Sequence, residues 1–203
     1  MMRLAVNTYF FGVLVSLILL GCSSGSEVNT GDNEFKNGNF KSAVAGYSEN
    51  LKTKPNDYHL YYGRGRSYQE LGKLVEAQAD FERALALEPT NFQALLGMSN
   101  LQLERKNYAS ALLYATKAEE IPGAPALASL LKGRALHQIG LPEEALKAYG
   151  IAIQLDKNFG QAYFNRALLK IALKRNKQAC EDFKLAMVLE YPGAEESFQK
   201  YCN

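Results

Sequence analysis

The sequence has few of the residues that build metal centres and disulfide scaffolds. Its 203 residues include three cysteines and two histidines, too few for a disulfide-dense scaffold or a Cys-rich zinc module. Lysine and arginine number 23 against 21 aspartate and glutamate, a net charge of +2. This even balance gives no long-range field for a phosphate backbone and argues against nucleic acid as the main partner. Apolar residues make up 47% of the chain, which favours a packed core over disorder.

The sequence also lacks an apolar run long enough to cross a membrane. The most apolar segment, Tyr9 to Leu20, has twelve residues, whereas a spanning helix needs about 20; this length is typical of a signal-peptide core. The segment Leu19-Leu20-Gly21-Cys22, which overlaps the end of this apolar run, resembles the lipobox of bacterial lipoproteins. The resemblance implies that residues 1–21 are a signal peptide and that Cys22 becomes the acylated N-terminus. The alternative is an ordinary secretory signal, or an anchor helix, with an incidental cysteine.

Acylation would set the location of the protein. Three acyl chains bury enough methylene groups to hold a protein on a bilayer, where one chain is marginal. Ser23 after the cysteine resembles lipoproteins sorted to the outer membrane, which predicts a periplasm-facing anchor if the cell is Gram-negative. Residues 22–33 are rich in Ser, Gly, Asn and Thr and are predicted to form a flexible tether.

The rest of the sequence repeats every 34 residues. Alanine recurs at this spacing at Ala43, Ala77, Ala111, Ala145 and Ala179. The position four residues after each alanine is aromatic in four of the five units: Tyr47, Phe81, Ala115, Tyr149 and Phe183. The position twelve residues before each alanine carries a small residue in all five: Gly31, Gly65, Ser99, Gly133 and Ala167. Small residues let two antiparallel helices approach closely, and a ring fills the gap between neighbouring pairs.

This pattern resembles the tetratricopeptide repeat, most closely over Tyr61 to Pro89 and least in the third unit, where Lys106 and Ala115 depart from it. The resemblance implies an all-α solenoid over 34–191, with about five helix-turn-helix units and a C-terminal capping helix within 192–203. The units are predicted near 24–57, 58–91, 92–125, 126–159 and 160–191. Helices are predicted near 40–53, 58–71, 74–87, 92–105, 108–121, 126–139, 142–155, 160–173 and 176–189, with a cap from 194 to 201.

Two arginine–aspartate pairs stand at matching positions in two of the units. Arg64 and Arg166 each have an aspartate sixteen residues later, Asp80 and Asp182. This step crosses the turn between helices and favours an ion pair that stabilises the repeat; the alternative is a cationic ligand site.

Cys180 and Cys202 remain once Cys22 is acylated. Disulfides persist in exported proteins, so these two cysteines are predicted to pair and pin the cap to the last repeat. The alternative is two unrelated thiols.

The first helices of tetratricopeptide arrays line a concave groove, which suits a peptide with apolar anchors. The resemblance does not extend to the family's clamp for a C-terminal carboxylate, because residues of other types occupy four of its five positions. The groove is predicted to be apolar in its C-terminal half and open there, unless curvature or the tether covers it. The predicted partner-binding residues are Tyr62, Arg66, Gln69, Leu96, Asn100, Leu103, Leu130, Arg134, His137, Phe164, Leu168 and Ile171.

The sequence has no Walker-type loop, GxSxG or HExxH motif, so we predict no enzyme, cofactor or metal site. The predicted function is a membrane-anchored scaffold of the bacterial envelope that binds envelope proteins or peptides through its groove. Lipoproteins of similar size and repeat content assist assembly of a pilus or of other envelope complexes. The alternatives are a binder of wall fragments or small ligands, using Arg66 and Arg134, and a structural spacer.

Overall fold

The computed structural model describes residues 30–202, and this part of the chain contains helices and no strand. The helices are α1 (Thr30–Lys36), α2 (Phe40–Thr53), α3 (Tyr58–Glu70), α4 (Leu74–Leu87), α5 (Phe92–Glu104), α6 (Tyr108–Glu119), α7 (Ala126–Ile139), α8 (Pro142–Leu155), α9 (Gly160–Ala172), α10 (Asn176–Val188) and α11 (Ala194–Cys202). Five helix pairs therefore succeed one another and α11 ends the array. The all-α solenoid is confirmed, and the nine helices predicted within the repeats begin and end within two residues of the prediction.

Local signals explain where several helices begin and end. Asp57 and Asn91 precede α3 and α5, and their side chains accept hydrogen bonds from backbone N–H groups of the first helical turn. Such caps satisfy donors that have no partner within the helix. Pro142 opens α8, where its missing N–H costs nothing. Gly140 ends α7 with a φ of 91°, a conformation that glycine adopts without strain.

Aromatic rings fill the space between neighbouring units. The ring of Phe81 on α4 lies against Gly65 of its own unit and Gly97 of the next, and a Cβ atom at either glycine would come within 2.9 Å of it. Tyr47 lies in the same way between Gly31 and Gly63. The glycines are therefore required by packing, because any side chain there would displace a buried ring.

The third unit solves the same packing problem differently. Ala115 stands where the other units carry a ring, and Leu131 of the next helix stands where α3 and α5 carry Gly63 and Gly97. Both residues are buried in one apolar cluster. A leucine from the neighbouring helix thus occupies space that a ring fills elsewhere, so the 34-residue geometry survives the departure from the repeat pattern.

The first helix begins earlier than the composition of its sequence predicts. The tether prediction is wrong over residues 30–33, which belong to α1. Tertiary contacts offset their poor helix propensity: Gly31 packs on the ring of Tyr47, and the Tyr47 hydroxyl donates a hydrogen bond to Asp32 at 2.7 Å. The signal peptide, Cys22 and the first part of the tether lie outside the described residues. Within residues 30–202 no helix is long and apolar enough to span a membrane.

The last helix packs on α10 and closes the C-terminal end of the array. Phe198 and Tyr201 of α11 pack against the cluster around Phe183. The structure joins Cys180 of α10 to Cys202 of α11 as a disulfide with Cα atoms 5.7 Å apart. The cap therefore has both an apolar and a covalent attachment to the last repeat.

The first helices of the units form one continuous layer. Contacts run from α1 to α3, from α3 to α5, from α5 to α7 and from α7 to α9. Each second helix packs against the first helix of its own unit and that of the next. The layer of first helices is therefore the surface on which residues from several units meet.

Candidate functional site

Two adjoining pockets lie along the layer of first helices. The N-terminal pocket has a volume of about 540 Å³ and is built by α3, α5, α7, the start of α9 and the loop before α7. The C-terminal pocket has a volume of about 390 Å³ and lies farther along the same layer. Glu104 and Arg134 line both pockets. We call the two pockets together the groove.

The N-terminal pocket has apolar walls and polar groups at its rim. Phe92, Leu96 and Leu131 supply apolar surface, and Gly97 leaves room between them. Such a lining suits an apolar side chain whose backbone can bond to surrounding polar groups. The residues that line it are Tyr62, Arg66, Gln69, Glu70, Phe92, Gln93, Leu96, Gly97, Asn100, Glu104, Pro125, Leu127, Leu131, Arg134 and Gln161.

Hydrogen bonds between neighbouring units organise the polar side of this pocket. Gln69 of α3 and Asn100 of α5 both donate to Oε1 of Glu104. Arg134 of α7 donates to Oδ1 of Asn100 over 3.4 Å, a long and weak bond. These side chains connect three successive first helices, so the polar side of the groove is a single network.

Arg66 stands at the N-terminal end of the same pocket. Its guanidinium lies 4.4 Å from the ring centroid of Phe35 and 5.9 Å from that of Tyr62. Both distances are within the range of a cation–π interaction. Among residues 30–202, no carboxylate forms an ion pair with Arg66, which leaves its hydrogen-bond donors available to a partner.

The C-terminal pocket is richer in positive charge. Arg134, Lys106 and His137 line it, and Glu104 is the acidic residue of the lining. Arg134 is half-buried, and no carboxylate of the described residues lies within salt-bridge distance of it. Leu103, Tyr108, Gln138, Tyr149, Asn165 and Leu168 complete the lining.

Tyr149 reaches this pocket from the second helix of the fourth unit. Only 1% of its surface is exposed, and its ring lies against Gly133. Its hydroxyl has no hydrogen-bond partner within residues 30–202. Every fully buried side-chain nitrogen or oxygen in this part of the chain has such a partner, so the hydroxyl is not fully buried. The hydroxyl therefore keeps contact with the pocket. Burial raises the pKa of Tyr149 well above its usual range, and the charge of Arg134 opposes this only in part, so the group is a neutral donor.

The structure brings together nine of the twelve residues that the sequence predicted for the groove. Five line the N-terminal pocket, three line the C-terminal pocket, and Arg134 lines both. They are Tyr62, Arg66, Gln69, Leu96 and Asn100 in the first and Leu103, His137 and Leu168 in the second. Leu130, Phe164 and Ile171 line neither pocket.

The prediction of an open apolar surface in the C-terminal half of the groove is wrong. Leu130 has no exposed surface and belongs to the core between α7, α8 and α9. Phe164 is half-buried, with its ring centroid 5.8 Å from that of Phe183 and 5.0 Å from that of Tyr191. Ile171 packs with the cluster that also contains the cap residue Phe198. Neighbouring helices of the array cover Leu130 and one face of Phe164, and Tyr191 of the loop before the cap and the cap residue Phe198 supply the remaining contacts.

The two arginine–aspartate pairs are structural elements of their repeats. Arg64 contacts Asp80 through two bonds of 2.7 and 2.8 Å, and Arg166 contacts Asp182 in the same way. Both aspartates are buried, and the bond to Asp80 raises the pKa of Arg64. The pairs join the two helices of one unit and lie outside both pockets, which favours the ion-pair interpretation over a ligand site.

Several residues of the groove could not be found from the positions of the first helices alone. Lys106 lies in the turn after α5, with a φ of 60°, and Tyr149 lies on a second helix. The sequence pattern marked both positions, the first as a turn and the second as a packing ring, but not as part of a binding surface. Within residues 30–202, no group of three His, Cys, Asp or Glu side chains is placed to hold a metal ion.

Family models described as tetratricopeptide repeat match residues 58–91 and residues 160–189. DnaJ homolog subfamily C member 7 of Homo sapiens is 29% identical over 147 residues, which are 70% of this chain and 29% of that protein. The chain thus spans less than a third of this curated relative.

Solved structures resemble the whole array. MamA from Desulfovibrio magneticus RS-1 is similar with a TM-score of 0.70 and 25% identity, over 80% of this chain and 92% of that chain. PilW, a widely conserved type IV pilus biogenesis factor, is similar with a TM-score of 0.74 and 22% identity, over 78% of this chain and 74% of that chain. Together with the 34-residue period and the paired helices, these similarities show that the chain belongs to the tetratricopeptide-repeat proteins.

Proposed function

We propose that the protein is a lipid-anchored scaffold of the bacterial envelope that binds a peptide segment of a partner protein in its groove. The observation that supports this most is the continuity of the two pockets over four successive first helices. A surface of this length fits an extended or helical segment better than a compact small molecule.

The chemistry of the groove supports a peptide ligand. The apolar walls of the N-terminal pocket suit a side-chain anchor, and the amides of Gln69, Gln93 and Asn100 suit backbone groups. Arg66 and Arg134 lack carboxylate partners among the described residues, so binding does not require an internal ion pair to break. The groove can therefore bind both a side chain and the backbone of a peptide without first breaking an internal ion pair.

Anchoring and location rest on the sequence of the N-terminus. We infer acylation of Cys22 from the Leu19–Cys22 pattern, and from it an outer-membrane location in a Gram-negative cell. The similarity of the fold to PilW supports pilus assembly as one process in which such a scaffold takes part. Cys22→Ser should release the protein from the membrane fraction and abolish labelling by palmitate. A wild-type protein that fractionates as soluble, with an unmodified Cys22 thiol, would contradict this proposal.

Site-specific photo-crosslinking in the native envelope tests binding in the groove. A photoreactive amino acid at Gln93, which is exposed in the N-terminal pocket, should give adducts with a defined protein. The matched control is Val75, which is 69% exposed on the surface of α4 and should give none. Adducts formed at Val75 alone would place binding on the second helices. Glycan adducts at Gln93 would favour a wall-fragment binder, and no adducts at either position would favour a spacer.

A further inference from the structure

We propose that the C-terminal pocket holds the carboxylate of an acidic side chain of the bound peptide, against the guanidinium of Arg134 and the hydroxyl of Tyr149. This inference rests on the proposed peptide-binding function and adds the chemistry that selects the peptide. The N-terminal pocket then takes an apolar side chain of the same peptide, because the two pockets share Glu104 and Arg134.

Arg134 differs from the other arginines of the first helices. Arg64 and Arg166 each use two donors on a buried aspartate, and Arg66 lies over two rings. Arg134 is half-buried and makes one bond of 3.4 Å to Asn100, although a guanidinium has five N–H donors. A half-buried cation in this state gains strongly from a carboxylate, which takes two parallel bonds from one guanidinium.

The hydroxyl of Tyr149 supplies an independent indication of a ligand. Its side chain is almost wholly enclosed, and its hydroxyl is without a hydrogen-bond partner in residues 30–202. The hydroxyl itself keeps contact with the pocket, so its hydrogen-bond donor is available to a ligand there. A carboxylate oxygen placed beside Arg134 would accept this hydrogen bond, because Arg134 and Tyr149 line the same pocket.

The remaining charges of the pocket favour an anion. Lys106 and His137 line it as well, and neither has an ion-pair partner in the described part of the chain. Glu104 is the acidic residue of the lining, and its Oε1 atom already accepts two hydrogen bonds, from Gln69 and Asn100. Gln138 and Asn165 add neutral donors. A cationic side chain would meet the charges of Arg134 and Lys106 there, so like-charge repulsion disfavours it.

Peptide pools with both ends blocked test the proposal on the full mature chain. Each pool has a fixed apolar residue, neutral flanking residues and one fixed test residue, which is Glu, Gln or Lys. We expect the Glu pool to bind about tenfold more tightly than the Gln pool, because a charge-assisted bidentate contact replaces neutral ones. The Lys pool should bind most weakly. Fluorescence polarisation with labelled pools gives the affinities.

Matched variants assign the preference to this pocket. Arg134→Gln should remove the difference between the Glu and Gln pools, whereas Arg175→Gln, at an exposed arginine paired with Glu143, should keep it. Tyr149→Phe removes only a hydroxyl and should weaken binding of the Glu pool about fivefold and that of the Gln pool less, because a neutral amide oxygen accepts a weaker hydrogen bond than a carboxylate. Circular dichroism and thermal unfolding of each variant show whether the fold is retained.

The outcomes separate this inference from the proposed function. Equal binding of all three pools would overturn the acidic preference and leave peptide binding in place. Binding of no pool would overturn both. A Glu preference that survives Arg134→Gln would place the carboxylate elsewhere. A further Gln pool with a free C-terminus distinguishes the source of the carboxylate: tight binding of that pool, with none of the blocked Glu pool, would overturn the assignment to a side chain.

Discussion

The second helices of units two and five bury the same residue types position by position, but the concave faces of the two units differ. Unit two is α3 with α4, and unit five is α9 with α10. Phe81 and Phe183 are both fully buried at the same repeat position, and Asp80 and Asp182 are both bonded to an arginine sixteen residues earlier. On the concave side Tyr62 lines the N-terminal pocket, whereas its counterpart Phe164 lies against Tyr191.

The difference comes from the element that succeeds each unit in the array. Unit two is succeeded by another repeat, so the first helix of unit three continues the groove. Unit five is succeeded by the cap, and both the cap and Tyr191 of the loop before it pack on the last repeat. The same residue position can therefore bind a partner in one unit and belong to the core in another, and only the neighbour decides which.

Removal of the buried aspartates should have the largest effect on the free energy of unfolding, and the effect should differ between the two units. Asp182 accepts bonds from Arg166 and also from Lys170 at 2.7 Å, and its side chain is 4% exposed. Asp182→Ala leaves two cations without a partner, so we expect a loss of about 3 kcal/mol in the free energy of unfolding. Asp80→Ala frees one cation, which keeps a bond to Ser48, and should cost about 2 kcal/mol. Urea unfolding of both variants measures the difference, and a larger loss for Asp80→Ala would contradict it.

Loss of the Cys180–Cys202 bond should destabilise unit five and leave unit two unchanged. The bond closes a loop with a sequence separation of 22 residues, for which the chain-entropy relation gives about 3 kcal/mol. Cys202→Ser should therefore lower the thermal midpoint and increase hydrogen exchange in α10 and α11 before α3 and α4. Peptide mapping without reductant checks the bond itself. Two freely alkylatable thiols in protein purified from the envelope would refute the pairing.

Truncation of Phe164 and of Tyr62, which occupy the same position in units five and two, should test the role of the cap directly. Phe164→Ala removes contacts with two rings and should cost about 2 kcal/mol of stability. Tyr62→Ala removes one tilted ring contact at 6.1 Å and should cost about 1 kcal/mol. Binding should respond in the opposite order, with peptide affinity reduced more by Tyr62→Ala. Equal stability losses, together with equal effects on binding, would show that the cap does not distinguish the two units.

Exchange of the turn residues should give the smallest effect. Gly72 of unit two and Lys174 of unit five occupy the same turn position, with φ values of 69° and 58°. Positive φ is costly for residues with a Cβ atom, so Lys174→Gly should stabilise the protein by about 1 kcal/mol. Gly72→Lys should destabilise it by a similar amount. Thermal unfolding measures both, and the same sign of change for the two variants would contradict this explanation.

The fold could be predicted almost completely from the amino-acid sequence. The period of 34 residues, the small residues and the rings predict the helix pairs, because each helix can bury its apolar face only against a neighbour at that spacing. The sixteen-residue step predicted both ion pairs, and nine of the twelve groove residues were predicted from positions on the first helices. All of these depend on contacts within one unit or between adjacent units, which a repeat pattern encodes.

Other features depend on particular neighbours and arise only in the folded array. Residues 30–33 are helical because Tyr47 packs on Gly31 and bonds to Asp32, which outweighs their low propensity. Phe164 enters the core because Tyr191, in the loop before the cap, lies beside it. Tyr149 has access to a pocket because the space around its hydroxyl, unlike its ring, is not filled by the repeat. Which residues are buried at the ends of the array, and which polar atoms within it stay accessible, depends on packing across several units. The pattern of a single repeat does not contain this information.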